Sequence, residues 1–193
     1  MVEVRVVRRP TAMRKPFAHL VIVALGAAAA GLGALPLRAS SGKPAPAFPQ
    51  DFGRLYGTLD RGDLLQYREL YAPAAALAAV KEGKPLPAGT VLTMVVFSVM
   101  RDAGGHPMRD FQGRFVKDAV SAYFVMRKQG EGAQPSRGPA HGPWQFQLFG
   151  ADRRPDPNAR MSDCVSCHRR RQDEDFVFSG KEMKAFAAGY AER

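Results

Sequence analysis

The sequence contains few side chains that bind metals well, with two cysteines and four histidines in 193 residues. The cysteines, Cys164 and Cys167, lie three positions apart. A structural zinc site needs four ligands, and His106 and His141 are the histidines left to complete one around the cysteine segment. A disulfide between the two cysteines is a second alternative. A thioredoxin-like site, however, would follow a strand in a βαβ pattern, and the sequence lacks that pattern.

The sequence also lacks the combination of clustered basic and aromatic residues that marks a nucleic-acid-binding surface. Its formal net charge is +10, but about half of this excess lies in the first 39 residues, which carry six basic side chains and one acidic one. We therefore expect no nucleic-acid partner.

One long apolar run occurs, from Phe17 to Leu37, and it follows a basic segment that contains Arg8, Arg9 and Arg14. Small residues come next, at Ala39 and Ser40. This order predicts a signal peptide over residues 1–39 and therefore a periplasmic protein. A retained membrane anchor is the alternative, because the run approaches the ~20 residues that span a bilayer. Residues 40–49 predict a Pro-rich linker, and residues 50–193 the folded domain.

The patterning of the folded part predicts an α+β protein that is mainly β, with a small antiparallel sheet of about four to five strands and short flanking helices. We expect a helix over Tyr71–Gly83 and a short last helix over Lys181–Tyr190. Residues Gln129–Pro143 predict a loop, and Asp102–His106 a turn. The predicted strands are Thr90–Met100, Phe111–Lys117, Val120–Arg127 and Trp144–Leu148.

The segment Cys164-Val-Ser-Cys167-His168 is a CxxCH motif, the attachment signature of a c-type haem. On one helical turn the two thiols and the imidazole share a face, so all three address one flat macrocycle. We expect one covalent haem c near the C-terminus, with Cys164 and Cys167 bonded to its vinyl groups and His168 bound to its iron. The basic run Arg169–Arg171 is a candidate for pairing with haem propionates or with an acidic redox partner.

The motif lies unusually late in the chain, which argues against the common electron-carrier fold. A small electron-transfer cytochrome c has the motif near its start and a methionine ligand far downstream, whereas Met183 is the one methionine after His168. The four-helix cytochromes also place the motif late, but the strand-rich body argues against that class.

Several segments resemble the cytochrome P460 family and its relatives, the cytochromes c prime beta. They are Tyr71-Ala72, Lys81–Gly83, Leu86–Leu92, Val125–Lys128, Trp144–Phe146, the CxxCH motif and Asp175–Ser179. The resemblance implies a small antiparallel sheet flanked by helices, a homodimer, and His168 as the sole protein ligand of a five-coordinate iron. It further implies a vacant sixth site that binds a small gas or nitrogen-oxide ligand such as nitric oxide.

In the enzymatic branch of that family the protein oxidises hydroxylamine, and a lysine is cross-linked to the haem. The strand on which we expect that lysine has none, so the uncross-linked branch is favoured, with Lys117 and Lys128 as remote candidates. A hydroxylamine-oxidising or peroxide-using oxidoreductase and a plain electron-transfer cytochrome with a redox partner protein remain the alternatives. We expect an uncharged distal wall formed by apolar strand residues, with Met94, Phe97, Phe124 and Met126 as candidates.

Overall fold

Five antiparallel strands form the body of the chain in the computed structural model, which describes residues 47–130 and 142–189. Neighbouring strands in the sequence are neighbours in the sheet, so the topology is a simple meander. The strands are β1 (Arg54–Arg61), β2 (Gln66–Ala72), β3 (Val91–Val99), β4 (Lys117–Lys128) and β5 (Trp144–Gly150). The predicted mainly-β fold with one antiparallel sheet is confirmed.

Short helices flank the sheet. They are α1 (Ala74–Lys81), α2 (Met161–His168) and α3 (Gly180–Ala187), and a 3₁₀ segment, Arg169–Glu174, continues directly from α2. Helix α1 is shorter than predicted because Tyr71 and Ala72 complete β2 before Pro73 starts the helix. Gly83 follows α1 with a φ of 70°, which a glycine adopts without steric cost.

The observed sheet differs from the predicted one in two respects. First, strands β1 and β2 were not predicted, because Gly57 and several charged residues obscure the alternation of apolar and polar side chains. Second, residues 111–113, predicted as part of a strand, instead form a turn, and Phe115 makes only an isolated β-bridge to Arg109. In this turn the carboxylate of Asp110 accepts hydrogen bonds from the backbone N–H groups of Gln112 and Arg114, which hold the backbone away from an extended conformation. Only Lys117 of that predicted strand belongs to β4.

The two faces of the sheet have different coverings. On one face, Leu70 and Leu92 pack with residues of the helices, including Leu77 of α1 and Met183 of α3. On the other face, Tyr123, Val125 and Phe149 pack with the N-terminal aromatic residues Phe48 and Phe52. Because side chains alternate between the faces, each strand contributes to both.

The remaining expectations concern the ends and the long loop. The last predicted helix corresponds to α3, which ends at Ala187. The proposed signal peptide, most of the linker and residues 131–141 of the predicted Gln129–Pro143 loop lie outside the described residues. Among the described residues, no helix has both the length and the hydropathy needed to cross a membrane.

Candidate functional site

Helix α2 brings the whole CxxCH motif to the wall of one cavity. Cys164, Cys167 and His168 all line this cavity, which has a volume of about 430 Å³. The i, i+3, i+4 spacing places the three side chains on one side of the helix. The cavity lies between α2 and the face of the sheet that also carries Leu70 and Leu92. Its volume falls within the range of small-molecule and cofactor sites.

The imidazole of His168 is held in one orientation by the backbone. Its Nδ1 lies 2.7 Å from the carbonyl oxygen of Phe176. Because a carbonyl oxygen can only accept, Nδ1 carries the proton and donates a hydrogen bond to this oxygen. The aromatic rings of Phe146 and Phe178 pack close to the imidazole, with ring centroids 4.8 and 5.1 Å from its own. Burial lowers the pKa of His168. These contacts leave Nε2 of a neutral imidazole available to an iron, which is the usual arrangement of a metal-bound histidine.

The two cysteines have different environments. Both side chains are free thiols; Cys164 is partly buried and Cys167 is exposed. Burial is the main reason that the pKa of Cys164 is raised. A thiol with a raised pKa forms less of the thiolate that binds metals. Both thiols border the cavity, where the vinyl groups of a haem could reach them.

Three of the four predicted distal residues line the cavity. Met94 lies on β3, and Phe124 and Met126 lie on the adjacent strand β4. The fourth residue, Phe97, points to the opposite face, where its ring contacts Tyr67 and the ammonium group of Lys117. Phe97 was assigned incorrectly because it lies three positions from Met94, so the alternation of side chains along β3 places it on the other face, together with Val95.

The cavity also has charged residues in its lining, so the expectation of an uncharged wall is wrong. Arg61 and Arg68 line it, and so does Glu182 of α3. The guanidinium of Arg68 donates to the side-chain oxygen of Gln66. No carboxylate among the described residues forms an ion pair with it. Burial, followed by the nearby charge of Arg61, lowers the pKa of Arg68. A half-buried cation of this kind fits a group that brings its own carboxylates, as the propionates of a haem do.

Neither of the two candidate cross-linking lysines lines the cavity. Lys117 forms an ion pair with Glu69 on the opposite face of the sheet. Lys128 forms one with Asp175, at 2.6 Å. No lysine is present among the described residues that line the cavity.

The other candidate ligands and charges lie apart from the site. His106 is exposed in its turn, 3.5 Å from the carboxylate of Asp102, and His141 lies outside the described residues. Within the described ranges, no three His, Cys, Asp or Glu side chains are grouped as metal ligands, so the zinc alternative gains no support there. Arg171 of the basic run pairs with Glu174 at 2.7 Å.

Two parts of the site were not identified from the sequence. Arg68 lies on β2, a strand that was not predicted. The carbonyl of Phe176 is a backbone group, and the segment Asp175–Ser179 was noted only for its resemblance to other sequences. Asp175 and Phe176 both have positive φ angles, 53° and 64°, although neither is a glycine. Nothing in the sequence indicates this conformation.

Comparison with known protein families gives one result. The family model for cytochrome P460 matches residues 50–179, which is more than half of the chain. The chain belongs to the cytochrome P460 family, and it is therefore a haem protein. No curated protein matches the sequence at the similarity required for a relative.

Proposed function

We propose that this chain is a c-type cytochrome that holds one haem through thioether bonds to Cys164 and Cys167, with His168 as the axial iron ligand. The observation that best supports this proposal is that the three side chains line a single cavity, while Nδ1 of His168 is hydrogen-bonded to the carbonyl oxygen of Phe176. A bound haem would supply an iron that can change its oxidation state and bind a ligand. We assign Arg68 to a propionate, because its positive charge otherwise has no ion-pair partner among the described residues.

We propose further that the sixth position of the iron binds a small ligand such as nitric oxide. The described lining of the cavity contains no second histidine and no lysine. Met94, Phe124 and Met126 make part of the lining apolar, so a small ligand bound beside them would find few hydrogen-bond partners there. The charged residues Arg61, Arg68 and Glu182 line the same cavity. Hydroxylamine oxidation is the enzymatic alternative, and it calls for a cross-linked lysine that the described lining lacks.

Plain electron transfer is a second candidate, and one specific observation favours it. Met94 and Met126 both line the cavity, and a thioether is the sixth ligand of many electron-transfer haems. Met183, the methionine after the motif, is instead buried in the core with 1% of its surface exposed. If an internal ligand fills the sixth position, it comes from the sheet and not from the tail.

The experiment is an absorption spectrum of the haem-loaded protein, ferric and ferrous, with and without carbon monoxide, together with a denaturing gel stained for haem. We expect covalent haem, a high-spin iron and a shifted Soret band when carbon monoxide is added. A gel without bound haem contradicts the covalent attachment. A low-spin ferrous spectrum indifferent to carbon monoxide supports the electron carrier, and Met94→Leu and Met126→Leu then show which sulfur is bound.

The same sample distinguishes the enzyme from the gas-binding protein. A lysine cross-link moves the ferrous Soret band far to the red. Lys128→Met and Lys117→Met test the two candidates, and an ordinary Soret band that neither substitution changes supports the gas-binding protein. Consumption of hydroxylamine by the wild-type protein with an electron acceptor would instead support the oxidoreductase.

A further inference from the structure

The carbonyl oxygen that binds His168 is placed by an uncommon backbone conformation. Asp175 has φ and ψ angles of 53° and 33°, and Phe176 follows with a φ of 64°. A non-glycine residue in this left-handed region costs about 1–2 kcal/mol, somewhat less for aspartate. Two such residues in succession persist only where the surrounding structure holds them.

The side chain of Asp175 provides such a hold. One carboxylate oxygen lies 2.6 Å from Nζ of Lys128, and the other accepts a hydrogen bond of 3.3 Å from the indole N–H of Trp144. Lys128 and Trp144 are paired residues on β4 and β5, so the sheet holds the two residues that donate to Asp175 side by side. Trp144 is fully buried, and the side chain of Lys128 is only 12% exposed. Asp175 is thus anchored to the rigid part of the molecule.

Further contacts hold Phe176 next to this anchor. Its backbone N–H donates to the carbonyl oxygen of Arg171 at 2.7 Å. Its ring lies against Gly142, where a Cβ atom would come within 2.4 Å of the ring carbons. The carbonyl of Phe176 is therefore directed at His168 by the conformation that the Asp175 anchor maintains.

We propose that Asp175 is a positioning residue for the axial histidine, fixing the direction and strength of the hydrogen bond from His168 to Phe176. This rests on the proposed role of His168 as the iron ligand. A stronger hydrogen bond at Nδ1 places more electron density on the imidazole, which strengthens its bond to the iron and stabilises the ferric state. Lys128 and Trp144 thereby influence the iron through Asp175, without lining the cavity.

The test uses the full-length, haem-loaded protein and the variant Asp175→Asn. Asparagine also tolerates the left-handed conformation and has nearly the same size, so the substitution removes mainly the charge that binds Lys128. Two properties are measured: the reduction potential, and the iron–histidine stretching frequency of the ferrous protein by resonance Raman spectroscopy. We expect the potential to rise and the stretching band to move to lower frequency. Lys128→Met should shift both in the same direction.

The matched control is Asp173→Asn, an acidic residue two positions earlier in the same segment, which should change neither property. If Asp175→Asn and Asp175→Ala lower the stability but leave the potential and the stretching band of the wild type, Asp175 is only structural and the proposal is overturned. Failure of the proposed function has a different signature, because wild-type protein without covalent haem, or with no histidine-ligated iron, would disprove the role of His168 itself.

Discussion

The phenol oxygen of Tyr56 lies 2.7 Å from the hydroxyl oxygen of Ser179, and this contact joins β1 to the residue before α3. Both side chains line the cavity. Tyr56 is 7% exposed, and burial raises its pKa from 10.0 to about 12, an effect that the bond to Ser179 only partly offsets. The wall of the cavity thus contains a phenol that resists ionisation.

This raised pKa predicts a specific dependence of stability on pH. Between pH 10 and 12 the unfolded tyrosine loses its proton while the folded one keeps it, so the unfolded state is favoured progressively. The stability that the neutral phenol provides is fully present below the unfolded pKa and is lost as the pH rises through the folded one. The eventual loss is on the order of 3 kcal/mol, because one pKa unit corresponds to about 1.4 kcal/mol.

The variant Tyr56→Phe isolates this effect. At neutral pH we expect it to lower the free energy of unfolding by about 1 kcal/mol, because the hydrogen bond to Ser179 is lost. As the pH rises from 10 toward 12 the difference should shrink and then reverse, since phenylalanine has no proton to lose. Urea unfolding of both proteins over this range is the measurement. A constant difference at every pH would contradict the raised pKa.

A second prediction concerns Gly142, whose φ angle is 61° and which lies against the ring of Phe176. In Gly142→Ala the new methyl group meets both an unfavourable backbone conformation and an aromatic ring. We expect the free energy of unfolding to fall by about 2–3 kcal/mol. Gly113→Ala is the matched control, because Gly113 has a φ angle of 79° but nothing within 4 Å of the added atom.

The control variant should lose about 1 kcal/mol, the cost of the backbone conformation alone. Phe176→Leu in the background of Gly142→Ala should recover part of the difference if the ring is the obstacle. Urea unfolding of the three variants and of the wild-type protein measures these energies. Equal losses at Gly142 and Gly113 would show that Phe176 has room to move.

A third prediction separates the two faces of the sheet. Glu69 is 5% exposed, and its carboxylate binds both the ammonium group of Lys117 and the hydroxyl group of Tyr71. Glu69→Gln leaves these partners with a weaker acceptor, so we expect a loss of about 1–3 kcal/mol in the free energy of unfolding. Lys117→Met should cost less, because half of the lysine side chain is exposed and Tyr71 still binds the carboxylate.

Because Glu69 lies on the face away from the cavity, the haem spectrum of Glu69→Gln should match that of the wild-type protein. Urea unfolding and the visible spectrum of the same samples give both results. A spectral change without loss of stability would mean that the two faces are coupled.

A fourth prediction concerns the two thiols. Cys164→Ser and Cys167→Ser should each leave one thioether bond, so haem remains on a denaturing gel. The absorption band of the pyridine complex should move to longer wavelength, because one vinyl group stays conjugated. The double substitution should release all haem under denaturing conditions. Ser166→Ala, which lies between the cysteines, is the control and should behave as the wild type does. Haem that withstands denaturation in the double variant would show that another covalent bond, such as a lysine cross-link, holds it.

Much of the fold followed from local patterns. The β-branched run of β3 and the alternation of β5 predicted two strands closely, and Gly83 correctly marked the end of α1. The start of α1 was predicted too early, at Tyr71, which belongs to β2. Strands β1 and β2 could not be predicted from local patterns. Their residues are buried by partners elsewhere in the chain, and their own composition mixes apolar and charged residues. The segment around Phe111 was predicted as a strand, although its apolar residues, Phe111, Phe115 and Val116, do not alternate with polar ones. The hydrogen bonds of Asp110 decide the conformation there.

The sequence by itself determined the motif and therefore the candidate ligands, since CxxCH is a local signal whose spacing suffices to place Cys164, Cys167 and His168 on one helical turn. Only the tertiary structure decided what surrounds them. The positions of Arg68, of the carbonyl of Phe176 and of the anchor at Asp175 depend on contacts between residues far apart in the sequence. Such contacts form when the strands pair and the C-terminal segment packs on them, and no local pattern of side chains specifies them.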